Sequence, residues 1–155
     1  MRGVYTVEFE NVSVSAQVDF FEITPADDRP VAIIGMTLDQ MSDVGDAAEE
    51  ILRYRVIRGH TTSGSGGATP TPVALSPRDA AAGFTAETNN TTIASAGTGV
   101  NLHSGAFNIR MGERLFLPPE FYCESDQGQT LIVVRLMASP ADAVTISGTL
   151  YVLER

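Results

Sequence analysis

From Tyr5 onward, apolar and polar positions alternate with a period of two along most of the chain. In YTVEF, Tyr5, Val7 and Phe9 face one way and Thr6 and Glu8 the other; in ILRYRVI, Leu52, Tyr54 and Val56 oppose Arg53 and Arg55. That alternation belongs to a pleated strand with one face buried and the other in water. Further strands are expected at QVDFFEI, VAIIGMTLDQ, TPVAL, TTIAS, VNLHSGAFNIR, RLFLP, TLIVVRLMA and AVTISGTLYVLE, separated by clusters of Gly, Pro, Asn, Asp and Ser. About ten short strands with regular turn signals predict an all-β sandwich or barrel. Only DVGDAAEEIL and SPRDAAAGF depart from this pattern. Each opens on an acidic or hydroxyl residue that can cap a short Ala-rich run, which predicts a helical turn in both.

Two strands are apolar on both faces. In LIVVRLM, Ile132, Val134 and Leu136 lie on one face and Leu131, Val133, Arg135 and Met137 on the other; in VAIIGM, Val31 and Ile33 oppose Ala32, Ile34 and Met36. A two-layer sandwich buries one face of each sheet, so a second apolar face requires a third layer or a neighbouring subunit. The preferred expectation is a homotrimer, with Leu131, Val133, Arg135, Met137, Val31 and Ile33 at the subunit interface. Arg135 would then pair with a carboxylate across that interface, because a buried unpaired charge is costly. The alternative is a central strand covered by a long loop, for which the segment around 59–72 is available.

That segment, HTTSGSGGATPTP, has the composition of an interdomain linker. The strands before it cannot close a sandwich alone, since the most apolar ones lie near the other end of the chain. With 155 residues in all, one domain over 1–155 is expected, with 59–72 as a long internal loop.

Composition narrows the function more by exclusion than by signature. Acidic residues outnumber basic ones by 19 to 10, giving a net charge of -9, and every basic residue is Arg. A phosphate backbone or an anionic membrane surface needs clustered cations, and no apolar run is long enough to span a bilayer, so neither nucleic acid nor membrane is an expected partner. The start of the chain enters strand-like sequence directly, so export through a secretory signal is not expected. One cysteine, Cys123, excludes an intrachain disulfide, and its neighbours Glu124 and Asp126 disfavour a thiolate. His60 and His103 lack metal-ligand spacing, and Asp39, Asp43 and Asp46 lack that of a calcium loop. SGSGG has no following Lys for a phosphate loop, no G-x-S-x-G elbow occurs, and without Lys there is no Schiff base. Neither a cofactor nor catalysis is expected.

The segments SDVGDAAEEILRYRVIRGHTTSGSGG, NNTTIASAGTGVNLHSGAFNIRMGERLFLPPE and IVVRLMASPADAVTISGTLYVLE resemble small virion proteins of tailed bacteriophages, in particular jelly-roll head-decoration (cement) or head-fibre-base proteins. The resemblance covers most of the chain and rests on style and segment order. It implies a single-domain, jelly-roll-like β-sandwich, trimers in the manner of that group, and a place on the capsid surface after assembly in the host cytoplasm. The implied partners are the major capsid protein and a head fibre or spike protein. A receptor- or glycan-binding module of a head fibre, spike base or tail tip is the alternative, with the loops around His60 and Asn89 to Thr92 as its surface.

Overall fold

The computed structural model describes residues 3–41, 49–128 and 130–155. Its strands are β1 (Gly3–Val14), β2 (Asp19–Thr24), β3 (Val31–Gln40), β4 (Ile51–His60), β5 (Val73–Ala74), β6 (Thr85–Asn90), β7 (Val100–Asn108), β8 (Glu113–Phe116), β9 (Cys123–Ser125), β10 (Leu131–Leu136) and β11 (Val144–Glu154). One sheet runs β5-β1-β11-β3-β8, with β9 also paired to β3, and the other runs β6-β2-β10-β4-β7. All pairings between them are antiparallel. The eight principal strands alternate between sheets in successive pairs, giving β1-β11-β3-β8 against β2-β10-β4-β7. This is the winding of a jelly roll; the alternating pattern predicts the sandwich, and the resemblance implies its winding.

The alternating pattern places the core. Tyr5, Val7 and Phe9 of β1, Leu52, Tyr54 and Val56 of β4, Ile132, Val134 and Leu136 of β10, and Ile146, Leu150 and Val152 of β11 join one buried cluster between the sheets. Phe9 stacks against Phe20 with ring centroids 6.2 Å apart and meets Phe21 at 5.3 Å. Both sheets draw strands from before and after the 59–72 segment, so that segment runs within a single sandwich.

The local differences have physical causes. TTIAS forms no strand, and SPRDAAAGF forms bends and turns instead of a helical turn. Of DVGDAAEEIL, Ile51 and Leu52 belong to β4, and residues 43–48 lie outside the described residues. Two strands carry little periodic signal: TAETNN (β6) is polar, and CES (β9) is only three residues long.

The double-faced strands also resolve. In β3, Tyr151 pairs with Gly35 but Val152 pairs with Ile33, so Ile34 is an extra residue that shifts the pleat. Val31 and Ile33 before this bulge, and Met36 and Leu38 after it, therefore point into the same core. The expected second apolar face of β3 is one core face with a phase change, and Val31 and Ile33, each 1% exposed, are not surface residues. In β10 both faces are buried. Leu131 and Val133 form a second cluster with Ile57 and Ala94 on the outer side of the sheet. The chain covers that side itself.

Candidate functional site

The cover is built from residues 61–68 laid antiparallel to 88–95. Thr62 N–H donates to Ser95 O at 3.0 Å and Ser95 N–H returns to Thr62 O at 3.0 Å; Ser65 and Thr92, and Ala68 and Thr88, are joined in the same reciprocal way. The glycines are what allow so close an approach. A Cβ on Gly64 would lie 2.0 Å from Thr92 O, and one on Gly67 would lie 1.9 Å from Thr88 O. Beneath the cover sit charged side chains that belong to the second sheet. Asp19, fully buried, accepts from Arg135 Nε at 2.6 Å and Nη2 at 3.1 Å, and from Ala94 N–H at 2.7 Å. Arg135 Nη2 also donates to Ala94 O at 2.9 Å. His60 completes the set: its Nδ1 lies 3.0 Å from Ala96 O and its Nε2 3.4 Å from Arg135 Nη1. A carbonyl can only accept and a guanidinium only donate, so the tautomer that satisfies both contacts is the one with its hydrogen on Nδ1. Toward the other end, the buried Glu22 accepts from Gly64 N–H at 3.0 Å and from Ser63 Oγ at 2.8 Å, and Ser63 Oγ also contacts Glu87.

This arrangement corrects the expected interface. Leu131, Val133 and Arg135 are all below 8% exposed within a single chain, and Arg135 finds its carboxylate in its own β2, not across a three-fold axis. Met137 is half-buried just past β10, with its N–H donating to Arg53 O at 2.9 Å. The loop alternative describes this face.

A cleft of about 710 Å³ opens between β7 and the 117–124 segment, lined by Arg58, Leu102, His103, Leu117, Phe121 and Cys123 among others. Behind it, Tyr54 Oη donates to Glu113 Oε2 at 2.9 Å and lies 3.5 Å from His103 Nε2. Burial, then the hydrogen bond and charge of Glu113, push the Tyr54 phenol far above its ordinary range, so it serves as a proton donor in a fixed contact. Burial likewise raises the Cys123 thiol, and the positive charge of Arg58 offsets only part of that. A thiol held in its protonated form is a poor nucleophile.

A groove of about 590 Å³ runs between β1 and residues 66–70, with Phe9, Val12, Val14 and Val18 on its apolar side and Asn89 on its polar side. Both polar atoms of the Asn89 amide are buried without a partner among the described residues, and its backbone holds φ at +54°. Asp39 bonds Arg114 at 2.8 Å, while Asp43 and Asp46 lie outside the described residues.

Comparison with family models, with curated proteins and with solved structures finds no match.

Sequence reading brought His60, Arg135 and Asn89 to notice but missed their company. Asp19 and Glu22 stand in QVDFFEI at positions whose neighbours are apolar on both sides, and that was the available signal: a carboxylate inside an otherwise apolar strand needs a partner. Glu154 is a similar case. It is buried at the end of β11, where its Oε1 accepts from Gly83 N–H at 2.8 Å and Phe84 N–H at 3.1 Å.

Proposed function

We propose that this chain is a virion structural protein that decorates the outside of a mature bacteriophage capsid and stabilises it, acting by binding and not by catalysis. The observation that carries the reading is the jelly-roll winding itself, found in a chain whose segments resemble phage head-decoration proteins. The first sheet offers a contact surface. A cross-strand row on its outer face runs Val73, Thr6, Tyr151, Gly35 and Phe116. Val73 and Phe116 are more than half exposed, and the Phe116 ring packs 5.7 Å from Tyr151. Exposed apolar residues at both ends of the row, Tyr151 between them and Glu8 and Arg114 in the next row make a face suited to a protein shell. A ligand that binds the expanded lattice and not the precursor stabilises the expanded lattice by linkage. Purified protein should co-sediment with expanded shells and not with unexpanded ones, and Phe116→Asp should weaken that binding. Equal binding to both shell forms, or to neither, would overturn the reading.

The groove at Asn89 favours a second reading, a receptor- or glycan-binding module. A buried amide with both its donor and its acceptor free among the described residues matches a hydroxylated or amide-bearing ligand, provided the 66–70 segment moves to admit it. Adhesion to host cells that is lost in Asn89→Ala, together with no effect on shells, would select it.

A further inference from the structure

Natural β proteins protect their sheet edges with charge, proline, short strands or a covering segment. Three of the four edges here follow that rule. β5 is two residues long, follows Pro70 and Pro72 and pairs only with Tyr5 and Thr6 of β1, whose remaining edge carries Glu8 and Glu10 and a bulge between Phe9 and Val12. β8 carries Glu113 and Arg114 in four residues. β6 is capped by Ala68, whose N–H donates to Thr88 O at 3.0 Å and whose O accepts from Thr88 N–H at 2.8 Å.

β7 is the exception. It is nine residues long, VNLHSGAFN, with no Asp, Glu, Arg or Pro. It pairs only with β4, and among the described residues no other backbone hydrogen bond is made by Val100–Phe107. A single bulge at Leu102, where His103 pairs with Val56 and Asn101 with Ile57, leaves a regular run from His103 to Asn108. Exposed apolar side chains gather around the same edge. Val100 begins the strand, Ile51 pairs with Asn108 at its end, Met111 follows it, and Phe121 stands across the adjacent cleft. These are four of the eight large hydrophobics that are exposed among the described residues.

We infer that β7 is an association edge whose occupant is β7 of a second copy of this chain, paired antiparallel about a two-fold axis. The outward backbone groups of this edge form a template for an extended strand, and a strand of matching length and without charge fits the whole of it. β7 has both properties itself, and one isologous contact satisfies both edges together. Its outward residues, Ser104 and Ala106, are small and uncharged, so no like charges meet at the seam. The two five-stranded sheets then run on as one, and the exposed Val100 and Met111 of opposite copies come together at each end of the seam.

The test is the oligomeric state of the whole chain, by sedimentation equilibrium, against the double variant Ser104→Glu/Ala106→Glu. Both positions are exposed and stand beside Arg55 and Arg53 of β4, so the new carboxylates have cationic neighbours within the monomer. Across a two-fold seam they meet their own copies in every in-register pairing centred on residues 104 to 106, and directly opposed like charges are unfavourable. The wild type is expected at the mass of two chains and the variant at one, with a urea midpoint equal to that of the wild type diluted until its chains separate. Hydrogen exchange of wild-type β7 amides gives a second measurement that needs no variant: their protection should fall on dilution. A wild type at one chain or at three, a variant that stays at two, or β7 protection independent of concentration would overturn the inference.

Discussion

Replacing Arg135 with Met tests whether the chain closes its own outer face. In the folded chain Arg135 makes two hydrogen bonds to Asp19 and one to Ala94 O, and its side chain is 8% exposed against 0% for Asp19. Arg135→Met keeps much of the apolar stem but strands the Asp19 carboxylate in a site where, among the described residues, only Ala94 N–H remains to satisfy it. Breaking a buried pair from one side costs about 3–5 kcal/mol. Against a typical domain stability of about 5–15 kcal/mol, that is a large share of the whole. Urea denaturation of four proteins measures it: wild type, Arg135→Met, Asp19→Asn and the double variant. The double variant removes both charges, while the side-chain amide introduced by Asp19→Asn can still accept from Ala94 N–H, so it should recover about 2 kcal/mol or more relative to Arg135→Met. If instead the cover stood open and the pair were solvated, Arg135→Met would cost under about 1 kcal/mol and the cycle would show no coupling. That result would refute the covered-face account.

Shortening residues 62–68 to a tight turn should destabilise the protein, because it uncovers Val133 and removes the Ser63 and Gly64 donors from Glu22; an unchanged urea midpoint would show that the segment only connects strands. Asn89→Gly should raise stability by about 1–3 kcal/mol, since it deletes an unpartnered buried amide and suits a φ of +54°; a loss of stability would show that the amide is paired in solution. The buried Cys123 thiol should react slowly with iodoacetamide in the native protein and quickly in urea. Its folded pKa is raised, so its contribution is complete below the ordinary thiol range and is lost as pH climbs above it. Stability should therefore decline from about pH 8.5 upward, and less steeply in Cys123→Ser.

The all-β sandwich was legible because the inward faces of β1, β4, β10 and β11 keep a strict period of two over most of their length, whereas the jelly-roll winding was only what the resemblance to phage head proteins implied. The ambiguity lay where the period breaks. The bulge at Ile34 shifts the pleat of β3 by one residue, and a linear pattern cannot tell a phase change from a second buried face. In β10 the second face is real, but the identity of its cover depends on backbone hydrogen bonds between 61–68 and 88–95, which leave no trace in hydrophobicity. The polar strand β6 and the short β9 stayed hidden for the same reason: their pairing is tertiary. At the cover, Arg135 was visible as a buried cation in need of a carboxylate. Its partner could not be assigned, because Asp19 lies 116 residues away and only the winding of β2 beside β10 brings the two together.

The capsid-decoration reading is tested most directly by locating the chain on the particle. A cryo-electron-microscopy reconstruction of mature heads carrying it should show this β-sandwich on the outer shell surface at repeated lattice positions, with the face bearing Tyr151 and Phe116 toward the shell. Heads before expansion should lack it. Density confined to a fibre or tail tip, or equal occupancy on unexpanded heads, would contradict the account.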